Sequence, residues 1–211
     1  MEKINIRKQM IIVSVYRMLA VLLCFIGLIE QGRGMQQPHV MLYFFTILTN
    51  ILCALFFLFA VILQKNAPAM EGGLTTSILL VMLVFHFILL PTSDFYQDEM
   101  GLNNLILHYI MPGMVMIDFL LFQKKANLRW YHPFYWSIIP IAYLGFVYIR
   151  AVLGEPFFTG YGMSSYPYFF LDVQQLGLTN VMICIGVLLI FYLVLGYVVL
   201  GLHYLIHRKR T

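Results

Sequence analysis

The residues best suited to chemistry are a threonine and a histidine that lie inside long apolar stretches. Thr46 and His108 are these two residues, and polar groups in such stretches usually have a partner or a function. A hydroxyl becomes a nucleophile when a base lies within hydrogen-bond reach, and histidine supplies such a base. Asn50 and Asn104, each one helical turn away, can orient groups or donate to an oxyanion. The pattern predicts a hydrolytic site.

The same positions also have a structural interpretation. Threonine hydroxyls often bond to carbonyls of their own helix or bridge two helices, and a buried histidine can serve packing or proton coupling. Thr49, His86 and Arg150 are predicted to form a secondary polar layer at the same end of the helices. From sequence chemistry alone, both interpretations stay open.

A second polar pair is predicted near the opposite ends of the helices. Arg17 and Asp118 lie within apolar stretches, each within about two helical turns of the same surface. An unpaired charge is costly in that position. We therefore expect Arg17 and Asp118 to form a structural ion pair.

The sequence predicts neither a metal nor another cofactor. It contains no H-E-x-x-H, P-loop or G-x-G-x-x-G pattern. His203 and His207 lack a nearby carboxylate, which makes them a poor metal site, and beside Arg208 they are interpreted as interfacial residues. The cysteines all lie in apolar stretches, where we expect them to pack as small hydrophobic residues: Cys24, Cys53 and Cys184.

The composition defines the class of protein that must position these residues. Hydrophobic residues make up 62% of the chain and charged residues 10%, with a mean hydropathy of +0.86. A soluble domain has about half its residues apolar and about a quarter charged. The net charge of +4 does not indicate nucleic-acid binding, because the basic residues lie at the ends of apolar runs. The chain is predicted to be an all-α integral membrane protein whose main partner is the lipid bilayer.

Six apolar runs are long enough to cross a bilayer, which takes about 20 residues per helix. They lie at about 10–29, 40–63, 74–91, 104–122, 134–153 and 179–206. We expect a single bundle of six transmembrane helices without a second domain. The first run has a basic start but no cleavage site of the signal-peptide type, so it is interpreted as a retained helix.

The distribution of Lys and Arg predicts the orientation. Cytoplasmic segments are enriched in these residues, and ten of them lie on the side of the N-terminus against two on the other side. The ten are Lys3, Arg7, Lys8, Lys65, Lys124, Lys125, Arg129, Arg208, Lys209 and Arg210. Both termini are therefore predicted to be cytoplasmic. Thr46 and His108 would then share a depth of roughly 6–10 Å in the outer leaflet.

One connecting segment, residues 154–178, is rich in Tyr, Phe, Gly and Pro. It is too broken for a spanning helix and too aromatic for a solvated loop, which favours the membrane interface. Two interpretations are open. The segment is either an interfacial anchor or a lid over a cavity that faces outward.

Three short segments carry a resemblance to a known family. The stretches YFFTILTN (residues 43–50) and HYIMPGMVMID (residues 108–118) resemble bacterial Pr-six-Pr membrane proteins, and YPYFFLD (residues 166–172) adds a third match in the same order. These proteins are in turn distantly similar to the androgen-induced-gene hydrolases of animals. The latter are multi-pass enzymes that cleave fatty acid esters of hydroxy fatty acids, using an intramembrane Thr and His.

The resemblance implies that Thr46 is the nucleophile and His108 the base, with Asp118 at the position of the family's acidic residue. Thr49 is the competing nucleophile, but it falls where the animal proteins carry an acidic residue. The chain departs from those proteins at residues 104–107, which lack their additional histidine. The function implied is hydrolysis of lipid esters that enter from the outer leaflet of a bacterial plasma membrane. The alternative is a non-catalytic membrane protein, either a small carrier or an assembly partner. A carrier would be expected to show inverted repeats, which the sequence lacks.

Overall fold

The computed structural model describes residues 2–33, 35, 37–92, 101–123, 127–159 and 162–208, with side chains from residue 8 onward. Within these residues, six helices are long and apolar enough to cross a membrane, which confirms the prediction of a helical chain with six candidate spans. We number them α1 (Glu2–Arg33), α2 (Phe45–Leu63), α3 (Pro68–Thr92), α4 (Leu102–Phe122), α5 (His132–Leu153) and α6 (Leu178–His207). Several residues used to predict orientation lie outside the described part or have undescribed side chains: Lys3, Arg7, Lys124, Lys125, Lys209 and Arg210.

Helix α2 begins later than the apolar run predicted. Residues Pro38–Tyr43 form a 3₁₀ helix, and Phe44 then adopts an extended backbone with φ −87° and ψ 134°. Hydropathy could not locate this break, because the residues on both sides of it are apolar. As a consequence, Thr46 is the second residue of α2 rather than a residue one to two turns inside it.

Helix α3 begins earlier than predicted, at Pro68. Proline is favoured at the first helical position, where its missing N–H would have no partner anyway. The polar-looking stretch after Pro68 is therefore helical, and it is buried without interruption from Glu71 to Val81. Because α3 packs against α2, α4, α5 and α6, it forms the centre of the bundle.

Two glycines allow close contacts between helices. A Cβ atom on Gly72 of α3 would overlap the indole ring of Trp136 in α5, and one on Gly27 of α1 would lie 2.9 Å from side-chain atoms of Ile106 and Leu107 in α4. Small residues commonly let membrane helices approach in this way. The contact at Gly27 brings α1 against the part of α4 that carries His108.

Arg17 of α1 and Asp118 of α4 form a bidentate ion pair in the interior. Arg17 Nε lies 2.9 Å from Asp118 Oδ1, and Nη2 lies 2.8 Å from Oδ2. The two side chains are only 4% and 0% exposed. The third guanidinium nitrogen donates to Oδ1 of Asn66, between α2 and α3, at 3.1 Å. The pair thus connects α1, α4 and the α2–α3 turn.

A buried acid lies on the neighbouring helix, where the apolar run had not predicted a helix. Glu71 of α3 is fully buried, and its Oε2 accepts a hydrogen bond from the amide of Gln123. The backbone carbonyl of Gln123 accepts a hydrogen bond from Nε2 of His203 at 2.9 Å, and the backbone carbonyl of Leu120 accepts one from Nε2 of His207 at 3.0 Å. These carbonyls lie at the end of α4, where helical partners are lacking. His203 is 3% exposed, and both histidines bond to carbonyls at the end of α4, so they connect α6 to α4; their interpretation as interfacial residues stays a prediction.

The Arg17–Asp118 pair provides a test of buried electrostatics. We expect Arg17→Ala and Asp118→Ala each to lower stability by about 3–5 kcal/mol, because each leaves one charge buried without a partner. The double variant should lose less than the sum of the two. Thermal unfolding in detergent, compared across the four proteins, measures this coupling.

The matched control for this cycle is the exposed pair Glu30–Arg33, whose side chains are 35% and 71% exposed. Exposed pairs contribute about 0–1 kcal/mol, so Glu30→Ala and Arg33→Ala should leave the unfolding temperature nearly unchanged. Strictly additive losses at positions 17 and 118 would contradict the expectation.

Candidate functional site

The structure brings Thr46 and His108 together. Oγ1 of Thr46, on the first turn of α2, lies 3.4 Å from Nε2 of His108 on α4. The two residues are 8% and 7% exposed. A hydroxyl and an imidazole nitrogen therefore face each other inside the bundle, at a separation that a small shift would convert into a strong hydrogen bond.

A backbone carbonyl fixes the tautomer of His108. Nδ1 of His108 lies 3.3 Å from the carbonyl oxygen of Asn104. Because a carbonyl only accepts hydrogen bonds, Nδ1 must carry the proton, and the neutral ring then has its lone pair on Nε2, toward Thr46. Asn104 thus takes the place that an acidic residue holds in a serine-type triad, through its backbone rather than its side chain.

Two π-helical turns lie side by side at this site. One covers Phe85–Leu89 in α3 and the other Ile106–Ile110 in α4. The ring of Phe85 stacks on that of His108, with 3.7 Å between centroids and 16° between planes. Such turns occur frequently at functional sites. Here, the stacking holds the imidazole in the plane that directs Nε2 toward Thr46.

The remaining predicted polar residues divide between the site and its surroundings. His86 is exposed on the outside of the bundle, where its Nδ1 lies 2.9 Å from the Tyr109 hydroxyl. It contacts neither Thr46 nor His108. Thr49 is fully buried, and its hydroxyl has no hydrogen-bond partner in the described part of the chain. The predicted secondary layer therefore does not form one connected network.

Asn50 positions the site but has no hydrogen left for an oxyanion. Its amide nitrogen donates to the carbonyl of Thr46 at 2.8 Å and to that of Leu107 at 3.1 Å. Both amide hydrogens are thereby used, and the bond to Leu107 ties α2 to the π-helical turn of α4. Of the two predicted roles, the geometry fits the orienting role for Asn50.

The segment between α5 and α6 folds over the start of α2. It contains an antiparallel hairpin of strands β1 (Phe157–Thr159) and β2 (Gly162–Ser164). The Asp172 carboxylate accepts a hydrogen bond from the Ser164 hydroxyl at 2.6 Å. It also accepts from the backbone N–H groups of Gln174 and Gln175 at 2.8 and 3.1 Å. These bonds cap the short helix Val173–Leu176. The segment is therefore built as a defined cap, and we call residues 154–177 the aromatic cap.

Arg150 anchors the aromatic cap. Its guanidinium carbon lies 4.4 Å from the ring centres of both Tyr43 and Phe157. Its nitrogens donate to the carbonyls of Ser165, at 3.0 Å, and Glu155. A cation held between two aromatic faces is favourable when it is shielded from water. The predicted polar-layer residue thus fastens the cap onto α5 and the 3₁₀ helix before α2.

Tyr168 is the residue of the aromatic cap that reaches the site, and the candidate residues from sequence had not included it. The Thr46 N–H donates to the Tyr168 hydroxyl oxygen at 3.5 Å. Burial raises the pKa of Tyr168 above its ordinary value, so the phenol stays protonated well into the alkaline range. The signal that could have found Tyr168 was the aromatic composition of the loop, but composition cannot tell which ring turns inward.

An apolar cavity of about 70 Å³ lies beside Thr46. It is lined by α2, α3, α5, α6 and the aromatic cap. Of its fifteen lining residues, only Thr46, Tyr143 and Tyr168 carry a polar side chain. His108 does not line the cavity, so Thr46 lies between the base and the apolar space. Ile185 of α6 is partly exposed, which extends the cavity toward the outer surface of the bundle.

The described residues contain no group of three or more His, Cys, Asp and Glu side chains that could hold a metal ion. No family model, curated protein or solved structure matches the chain. The resemblance of its short segments to a family thus stays a prediction.

Two adjacent residues of α2 allow a test of this geometry. Thr49→Val removes a buried hydroxyl that has no partner and keeps the side-chain shape, so we expect unchanged or increased stability. Asn50→Ala removes two hydrogen bonds and should cost about 1–3 kcal/mol. Thermal unfolding of both variants in the same detergent provides the measurement. If Thr49→Val is as damaging as Asn50→Ala, the Thr49 hydroxyl has a partner that the geometry does not reveal.

Proposed function

We propose that the chain is an intramembrane hydrolase that cleaves lipid esters, with Thr46 as nucleophile and His108 as general base. The observation that carries the proposal is the 3.4 Å contact between Thr46 Oγ1 and the unprotonated nitrogen of His108, beside an apolar cavity. The buried hydroxyls of Thr75, Thr76 and Ser77 in α3 donate to carbonyls of their own helix, each at 2.8 Å. Thr46 is the second residue of α2, so no carbonyl of α2 lies one turn before it, and its hydroxyl faces His108 instead.

The reaction takes two steps. In the first, Nε2 of His108 removes the proton of the Thr46 hydroxyl while Oγ1 attacks the ester carbonyl carbon. The tetrahedral intermediate then expels the alkoxide, which takes the proton from His108 and leaves as an alcohol. In the second step, a water gives its proton to His108 and attacks the acyl-enzyme. The proton returns to Thr46 Oγ1 as the acid is released, so His108 is neutral again.

The lining of the cavity favours an apolar group, such as part of an acyl chain, beside Thr46. Twelve of its fifteen lining residues are apolar, and a hydrocarbon chain gains free energy on entering such a surface from water, though little on entering from lipid. Selection would therefore come from shape and from the ester group near Thr46. The family resemblance implies fatty acid esters of hydroxy fatty acids, and a chain could enter laterally beside Ile185 of α6.

The catalytic pair predicts a specific pattern of variants. Thr46→Ala and His108→Ala should each lower ester turnover by orders of magnitude, and the double variant should lose little more, because both residues serve one step. Thr46→Ser should retain part of the activity, since the hydroxyl survives. The rate should fall in acidic solution, because only neutral imidazole accepts the proton. Hydrolysis of branched and simple long-chain esters by purified protein in detergent measures these effects.

Thr49→Val and His86→Ala are the matched controls, because each changes a residue of the same type that lies outside the Thr46–His108 contact. The ester turnover of both variants should stay near that of the wild type. Covalent labelling by a fluorophosphonate probe gives a second measurement, which Thr46→Ala should abolish. If Thr46→Ala hydrolyses esters as fast as the wild type, the assignment of Thr46 as the nucleophile is wrong. If neither turnover nor labelling is found, a carrier or assembly partner becomes the better explanation.

We also propose that both termini are cytoplasmic, in a bacterial plasma membrane, so that the aromatic cap and Thr46 lie in the outer leaflet. The distribution of basic residues supports this orientation. An even number of spanning helices is consistent with it, because it places both ends of the chain on one side. A site in the outer leaflet would meet lipids of that leaflet without their crossing the membrane.

Cysteine accessibility tests the orientation. Gln37, just before the 3₁₀ helix that leads into α2, and Lys65, just after α2, are both exposed. In a background without the native cysteines, a membrane-impermeant maleimide should label Gln37→Cys in intact cells and Lys65→Cys only after permeabilisation. The reverse pattern would invert the bundle and place Thr46 in the inner leaflet.

A further inference from the structure

The aromatic cap brings a hydroxyl group to the nucleophile. We propose that Tyr168 is a further catalytic residue, whose phenol donates a hydrogen bond to the oxyanion formed when Thr46 attacks the ester. This inference rests on the proposed hydrolase function and adds to it the group that stabilises the developing charge. Such donors commonly account for a large part of the rate enhancement in acyl transfer.

The cavity itself supplies the first argument, because it offers few alternatives. Its polar side chains are Thr46, Tyr143 and Tyr168. Thr46 is the nucleophile, and the Tyr143 hydroxyl donates to the carbonyl of Tyr43 at 2.9 Å. Asn50 and Asn104 do not line the cavity, so they are not placed to touch a carbonyl oxygen there. Among the side chains that line the cavity, the Tyr168 hydroxyl is therefore the remaining candidate donor to the oxyanion.

The position of the phenol supplies the second argument. Its oxygen accepts the N–H of Thr46 at 3.5 Å, so it lies next to the nucleophile at the N-terminal end of α2. In this first turn, Ile47 and Leu48 donate to the carbonyl of Phe44, whereas the Thr46 N–H has no helical acceptor. An oxyanion formed when Thr46 attacks would therefore meet the phenol O–H at the positive end of the helix dipole.

The rigidity of the phenol supplies the third argument. Tyr168 is 7% exposed, and its ring lies 5.1 Å from that of Phe170 at 6° between planes, and 5.6 Å from that of Phe44, edge to face. Donors that are already in place need no reorganisation when the charge develops. The phenol keeps its proton throughout: it donates a hydrogen bond to the carbonyl oxygen as the π electrons move onto it, and the bond weakens again when the carbonyl reforms and the alkoxide leaves.

Tyr168→Phe tests the inference, because it removes the hydroxyl and keeps the ring. We expect kcat for ester hydrolysis to fall on the order of 10²–10³-fold, with KM nearly unchanged and the unfolding temperature close to wild type. A trifluoromethyl ketone, whose adduct with Thr46 imitates the oxyanion, should bind more weakly by a factor similar to the loss in kcat/KM. A residue with only a structural role would not produce this match.

Tyr166→Phe is the matched control. Tyr166 belongs to the same cap, and its ring packs 5.6 Å from that of Tyr148, away from Thr46. Its variant should keep wild-type kcat and inhibitor affinity. If Tyr168→Phe is too unstable to assay, difluorotyrosine at position 168 replaces it. That residue keeps the ring and the hydroxyl, but its phenol is more acidic and loses its proton at a lower pH. The fall of the rate in alkaline solution should therefore begin at a lower pH than in the wild type.

The outcomes separate this inference from the function on which it rests. If wild type hydrolyses esters through Thr46 and Tyr168→Phe is equally active, the oxyanion donor is not Tyr168, while the hydrolase stands. A faster Tyr168→Phe variant would show that the phenol blocks the site, which also overturns the inference. If the wild type is inert or Thr46→Ala is fully active, the hydrolase proposal fails, and the role of Tyr168 fails with it.

Discussion

A polar group inside hydrocarbon has no water to bond to, so it must find its partner elsewhere in the protein. In this bundle the partners lie mostly on other helices. Arg17 of α1 bonds to Asp118 of α4, and Asn50 of α2 bonds to the carbonyl of Leu107 in α4. Tyr192 of α6 donates to the carbonyl of Trp136 in α5 at 3.0 Å. Since apolar contacts between helices are hardly better than contacts with lipid, these polar bonds decide which faces meet.

The contact between Thr46 and His108 depends on that requirement. It needs α2 and α4 to hold one rotation relative to each other, and two bonds fix this rotation at different levels. Asn50 joins the helices directly beside the site, and Arg17 joins α4 to the α2–α3 turn through Asn66 at the opposite end. A rotation of either helix that separated Thr46 from His108 would leave a buried amide or a buried charge without its partner, which costs about 1–5 kcal/mol.

The sequence was sufficient to predict the six apolar helices and the Arg17–Asp118 pair. It was not sufficient to predict the local details that shape the candidate site. Six spans follow from hydropathy, because a bilayer leaves little choice of structure to an apolar run of that length. The pairing of Arg17 with Asp118 could be expected for the same reason, since two costly charges at one depth have few alternatives. The break at Phe44, in contrast, has apolar residues on both sides, and Glu71 stands in a stretch that looks like a loop until its partner Gln123 is known. Which tyrosine of the aromatic cap turns inward is likewise decided by tertiary contacts, such as the clamp of Arg150 between Tyr43 and Phe157.

Among the described residues, buried polar groups without a partner occur at both ends of the bundle. Near Thr46 they are the hydroxyl of Thr49 and the carbonyl oxygen of the Asn50 side chain, and near the opposite end Oε1 of Glu71 lacks a partner as well. Each costs about 1–3 kcal/mol, so unpaired groups alone do not identify the site. The end near Thr46 is distinguished instead by a hydroxyl, an imidazole nitrogen and a phenol that lie close together beside an apolar cavity. Around Arg17 every guanidinium nitrogen has an acceptor, so this charge holds the helices in the positions that keep those three groups together.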